Sequence, residues 1–135
     1  MNDYIYLIII LAAVGFYAYR EFMHGPKRYR SRPCMGKAWK NAYPNSENDN
    51  IRMFLECLVN GMAFSSKVRL KFEPSDKLMD IYRSIYNGKI PSGDAMECET
   101  FLENLASSYS VNLASLYEFS DEETTLGSLY EFVNA

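Results

Sequence analysis

The chain has 135 residues, 48% of them apolar and 23% charged, with a formal net charge of −3. That length holds one modest domain plus a short appendage, and the acidic balance argues against a nucleic-acid-binding protein. Three cysteines with no CxxC pair and a single histidine argue against a disulfide framework or a zinc site and favour a reducing compartment.

The first element is an apolar run, Tyr4 to Tyr19 (YIYLIIILAAVGFYAY), uncharged and flanked by Asp3 and Arg20. Sixteen residues at about 1.5 Å each give roughly 24 Å of helix, somewhat short of a ~30 Å hydrocarbon core. Tyr4 and Tyr6 at one end and Tyr17 and Tyr19 at the other suit the two interfaces. Arg20 can snorkel, and Phe22 and Met23 extend the apolar stretch beyond it. A cleaved signal peptide would need a basic start and a small-x-small site, whereas this chain opens Met1-Asn2-Asp3 and has no A-x-A pattern after the run. The expectation is a transmembrane anchor over 1–23.

Arg20, Lys27, Arg28, Arg30, Arg32, Lys37 and Lys40 follow the anchor, against one acid, Glu21, while no Lys or Arg precedes it. The positive-inside rule therefore predicts a single-pass protein of the inner (cytoplasmic) membrane, with its N-terminus outside and the rest of the chain in the cytoplasm. Lys27, Arg28 and Arg30 would lie at the interface, attracted to anionic lipid headgroups. Residues 24–45, punctuated by Gly25, Pro26, Pro33, Gly36 and Pro44, read as a basic juxtamembrane linker.

Residues 46–135 are expected to be the only part that folds as a globule, an all-α bundle of three to four helices. Ser46 and Asp49 open a helix carrying Ile51, Phe54, Leu55, Leu58, Val59 and Met62 at helical spacing, with Gly61 weakening its end. Residues 67–72 (KVRLKF) alternate like a short extended segment. Ser75 is placed as the cap of a second helix with Leu78, Ile81, Tyr82 and Ile85 on one face. Asn87-Gly88 and Pro91-Ser92-Gly93 mark a loop. A third helix is predicted from about Asp94, with Met96, Phe101, Leu102, Leu105 and Tyr109 buried, followed by a turn-rich connection through Val111, Leu113 and Leu116. Ser120 to Glu123 reads as a capping box for a last helix with Leu126, Leu129, Tyr130 and Val133 inward.

Charge is segregated. No Lys or Arg follows Lys89, yet nine acids do. Asp94, Glu97, Glu99, Glu103, Asp121 and Glu122 are the candidate partner-binding residues, because such a surface attracts basic protein patches and repels nucleic acid. The sequence offers no catalytic constellation and no metal-ligand spacing. A thiol at Cys98 among these acids is a poor nucleophile.

Gly93-Asp94-Ala95, the acidic helix ending in Tyr109-Ser110-Val111-Asn112-Leu113, and the Thr124-Thr125-Leu126-Gly127-Ser128-Leu129 pattern together resemble acyl carrier proteins. They resemble more closely an acyl-carrier-like family of unknown function from enteric bacteria. The resemblance covers about residues 50–134 and implies a carrier-like helical domain. Carrier proteins hold phosphopantetheine on the serine of an Asp-Ser-Leu triplet, and here the triplet is Asp94-Ala95-Met96. Ser92 lies two residues too early to replace it. The resemblance therefore implies a domain without a cofactor, acting as a non-enzymatic, membrane-anchored adaptor for a basic partner. Two alternatives stay open at this point: a working phosphopantetheinylated carrier at the membrane, and a toxin-immunity or secretion-accessory protein.

Overall fold

The structure is a computed structural model that describes residues 2–22, 25–86 and 96–135, with the side chains of 20–22 left aside. Among the described residues the chain is all-α; the only β feature is a single bridge between Lys77 and Thr125.

Helix α1, Asn2–Phe22, stands apart from the rest. Its window Asn2–Tyr19 has a mean hydropathy of 1.4 and none of it is buried, so it is long and apolar enough to cross a membrane. Tyr4, Tyr6, Tyr17 and Tyr19 are all exposed at its two ends.

The folded body is arranged around α4, Asn48–Gly61, which is enclosed on most of its circumference: Ile51, Phe54, Leu55, Cys57, Leu58 and Val59 are buried. Asp49, Arg52, Glu56 and Asn60 share the remaining arc, so a broad apolar face seats this amphipathic helix in the core. One stripe, Asn50, Phe54, Cys57 and Gly61, faces α6 (Glu97–Tyr109). Here Tyr109 donates to Asn50 Oδ1 at 2.9 Å, and Phe54 meets Phe101 edge-on at 6.0 Å. A Cβ on Gly61 would lie 2.5 Å from Phe101 Cα. Gly61, expected only to weaken the helix end, is what lets the two backbones approach. The stripe of Leu55, Glu56 and Val59 points roughly the opposite way, at 100° per residue. It meets η1, a 3₁₀ helix over Ser66–Lys71: Arg69 pairs with Glu56 at 2.5 Å, and Phe64 N–H donates to Val59 O at 2.8 Å.

Residues 67–72 are thus not extended. With no strand beside them, their backbone groups bond locally in the 3₁₀ turn, which Ser65 caps through Lys67 N–H, while Val68 and Phe72 still point inward. The reversal from α4 to η1 is a Schellman-type turn, with Ala63 N–H on Asn60 O and Phe64 N–H on Val59 O, and it puts Ala63 at φ 59°.

The segment expected as a linker belongs to the body, and this is the main correction. The punctuation breaks it into two short helices, α2 (Lys27–Arg30) and α3 (Gly36–Ala42). Each supplies an aromatic to the core: Tyr29 is 1% exposed and Trp39 0%. Trp39 Nε1–H donates to Phe72 O at 2.8 Å, and its ring lies 5.6 Å from Tyr130 and 5.8 Å from Phe54. Arg32 forms a two-pronged pair with buried Asp76 at 2.7 and 2.9 Å and sits 4.8 Å over the Tyr29 ring. Met35 N–H and Lys71 Nζ add donations to Leu70 O and Arg32 O.

Three helix starts also differ from expectation. Helix α5, Leu78–Ile85, begins after Lys77 without a side-chain cap, and Ser75 donates to Glu73 instead. Helix α6 begins at Glu97, with Met96 exposed rather than buried. The capping box lies at Thr125 and Ser128, at the head of α8 (Leu126–Val133), with reciprocal bonds of 3.0 and 3.1 Å. The connection through Leu113 and Leu116 is a helix of its own, α7 (Leu113–Phe119), capped by Asn112. The four longer helices α4, α5, α6 and α8 are the four the sequence predicts; α2, α3, η1 and α7 are additions.

Two substitutions two residues apart should move stability in opposite directions. Gly61→Ala forces α4 and α6 apart and should cost about 2–3 kcal/mol. Ala63→Gly relieves a left-handed residue and should add about 0.5–1 kcal/mol. Urea unfolding followed by the fluorescence of Trp39, the one tryptophan, checks both.

Candidate functional site

The body carries charge of opposite sign on the two sides of α4. On the η1 side lie the exposed Lys27 and Arg28 and the half-buried Arg30 of α2, which packs against η1. No ion pair among the described residues engages these three. The side chain of Arg20 lies outside the described residues.

On the α6 side the predicted acids have different fates. Asp94 lies outside the described residues, as do Ser92 and Ala95. Glu97 turns inward: it accepts the hydroxyl hydrogen of Tyr86, and its second carboxylate oxygen is buried with no hydrogen-bond partner among the described residues. That bond is the leading cause pushing the Tyr86 phenol up to about 12. Glu97 therefore ties α6 to the end of α5 rather than facing a partner. Asp121 is spent on the turn before α8, where it accepts Glu123 N–H at 2.8 Å and the Thr124 hydroxyl at 3.2 Å. Glu122 takes both its bonds from Arg83, at 2.6 and 2.7 Å, and Glu123 pairs with Lys77 at 2.9 Å. The Asp121–Glu123 cluster is thereby largely neutralised at short range.

Glu99 and Glu103 remain, exposed one turn apart on α6 and outside every ion pair of the described residues. Sequence reasoning missed their neighbour Tyr117. It is 44% exposed on α7, and its phenol is raised by burial first and then by the fields of Glu99 and Glu103. Exposed Glu118 follows it. An aromatic beside an acid in LYEF was the only available signal, and nothing local marks which side of a seven-residue helix faces water. The result is a small acidic face with one amphipathic ring, held on rigid helices.

Neither Cys98 nor Cys57 fits a nucleophile. Burial, reinforced by Glu97 and Glu99, pushes Cys98 up to about 12, and burial also raises Cys57. Cys34 is exposed, beside a surface hollow of about 270 Å³ that Lys40, Ile51, Arg52 and Leu70 also line. Among the described residues no group of three or more His, Cys, Asp or Glu could hold a metal ion. No protein-family model, curated protein or solved structure matches the chain.

Because a raised pKa leaves little thiolate at neutral pH, Cys98 should resist alkylation in the native protein, as should buried Cys57. Cys34 should react first. Iodoacetamide labelling at pH 7.5 with peptide mass mapping checks this. Equal modification of Cys34 and Cys98 before unfolding would contradict the placement of α6.

Proposed function

We propose that the chain is a membrane-anchored, non-enzymatic adaptor whose acyl-carrier-like cytoplasmic domain docks a basic surface of another protein. In this reading α1 spans the cytoplasmic membrane with its N-terminus outside, following the positive charge on its C-terminal flank. The observation that supports docking is the acidic face itself. Glu99, Glu103 and Glu118 are exposed and without an ion pair among the described residues, whereas Glu122 and Glu123 are matched by cations within the same domain. Unmatched charge of one sign on a rigid surface favours a complementary partner, and Tyr117 adds contact area that is both apolar and hydrogen-bonding. Tethering raises the local concentration of such a module for other membrane-bound proteins.

The resemblance to carrier proteins supports the domain type, and the alanine at position 95 supports a role without phosphopantetheine. Partner recognition would then rest on the face of the acidic helix alone.

The test is affinity purification of the full chain from detergent-solubilised membranes, alongside Glu99→Lys/Glu103→Lys. Basic proteins held by the native chain should be depleted about tenfold or more in the variant, a loss of ~1.4 kcal/mol, and should also be lost in raised salt. Co-purification that ignores both the charge reversal and the salt would sink the proposal. A mass increase of one phosphopantetheine on the purified chain would replace it with a working carrier.

A further inference from the structure

We infer that α2 and η1, far apart in sequence, jointly form a lipid-facing surface that seats the domain on the anionic headgroups of the membrane that α1 crosses. The inference rests on α1 being a membrane span.

The first observation is how little chain separates the span from the body. Helix α1 ends at Phe22, and Gly25 is already packed against the body: a Cβ there would stand 3.3 Å from a Val68 methyl and 3.9 Å from Phe64. Three peptide units reach at most about 11 Å, so the η1 side of the domain must lie at headgroup depth or just above it. The domain has no long tether that would let another side turn to the bilayer.

The second observation is what that side carries. Arg32 and Arg69 are matched by Asp76 and Glu56 and add little net charge. Lys27, Arg28 and Arg30 of α2 have no carboxylate partner among the described residues. Among the described residues Lys71 gives its one hydrogen bond to a neutral carbonyl, Arg32 O, and pairs with no carboxylate. Lys67, next to Val68, is exposed. Leaving Lys67 aside, four cations from two segments, Lys27, Arg28 and Arg30 of α2 and Lys71 of η1, thus lie on the side of the body where the chain arrives from α1. Lysine and arginine at such a surface gain from the negative potential of anionic lipids within about a Debye length of 8–10 Å.

The third observation concerns the far side. Glu99 and Glu103 are carried on α6, which packs on the opposite stripe of α4 from η1. An anionic surface attracts one side of the domain and repels the other, so the same field that seats α2 and η1 turns the acidic face toward the cytoplasm.

The test uses the full chain in nanodiscs of phosphatidylcholine, with or without phosphatidylglycerol. Exposed amines are modified with an N-hydroxysuccinimide ester and mapped by mass spectrometry. Lys27 and Lys71 should be modified about threefold less in the anionic discs at low ionic strength, with the difference erased by 0.5 M salt as the field is screened. Arg28→Glu, with its circular dichroism unchanged, should abolish the protection at Lys71. Equal modification in the two lipids, with the protein present in both discs, would overturn this inference and leave the anchor standing. Failure to enter discs of either composition would overturn the anchor and this inference with it.

Discussion

The pair between Arg32 and Asp76 holds together parts of the chain that sequence alone would leave separate. Asp76 is 7% exposed and takes two bonds from Arg32 and one from Glu73 N–H, while its backbone carbonyl accepts Leu126 N–H at 2.9 Å. One residue therefore joins the segment between α2 and α3, the lead-in to α5 and the start of α8. Arg32 in turn lies over Tyr29 and accepts Lys71 through its carbonyl, which fixes α2 on η1. A buried carboxylate is tolerable only when its oxygens are matched, and removing one partner of such a pair strands the other charge at a cost of about 3–5 kcal/mol. The lacing continues through Leu78 N–H on Thr124 O and Gly127 N–H on Pro74 O, so the heads of α5 and α8 form one unit with the segment that carries Arg32.

From this follows the division of charge. Helix α4 stands between η1 and α6 and keeps the cations of the first side away from the acids of the second. Internal matching then decides what each side shows. Arg69, Arg32, Glu122 and Glu123 are neutralised within the fold, and Glu97 turns toward Tyr86. A modest net charge of −3 thereby conceals two patches of opposite sign, one beside the anchor and one away from it. The lipid-facing reading depends on the chain from Gly25 onward belonging to the body, because a domain on a long tether would present all its sides to a bilayer.

What the sequence made legible was periodic. The apolar run of α1 and the spacing of Ile51, Phe54, Leu55 and Leu58 in α4 are set by local pattern, and they appear where that pattern puts them. The segment between α1 and α4 was illegible because its burial is non-local. Trp39 is held by a carbonyl 33 residues away and packs on Tyr130 from the last helix, and neither partner is visible from the proline- and glycine-rich stretch around it. Helix starts moved for the same reason: Thr125 rather than Ser120 caps α8 because the bridge to Lys77 and the bond from Leu126 to Asp76 fix where that helix can begin. Glu99 and Glu103 could be read from the acidic helix. The matching of Glu122 by Arg83, 39 residues distant, could not, and neither could the exposure of Tyr117.

The central claim is that the chain following α1, from Gly25 to Tyr43, is part of the folded body and not a tether. Hydrogen exchange on the full chain in detergent, resolved by peptide, tests it most directly through the amides of residues 27–43. Several of these are donors in the fold, among them Tyr29 to Pro26 O, Met35 to Leu70 O and Tyr43 to Trp39 O. The account predicts that they are protected together with α4 and open in the same cooperative step as denaturant is added. Exchange of this segment at the rate of unstructured peptide, with α4 still protected, would contradict it.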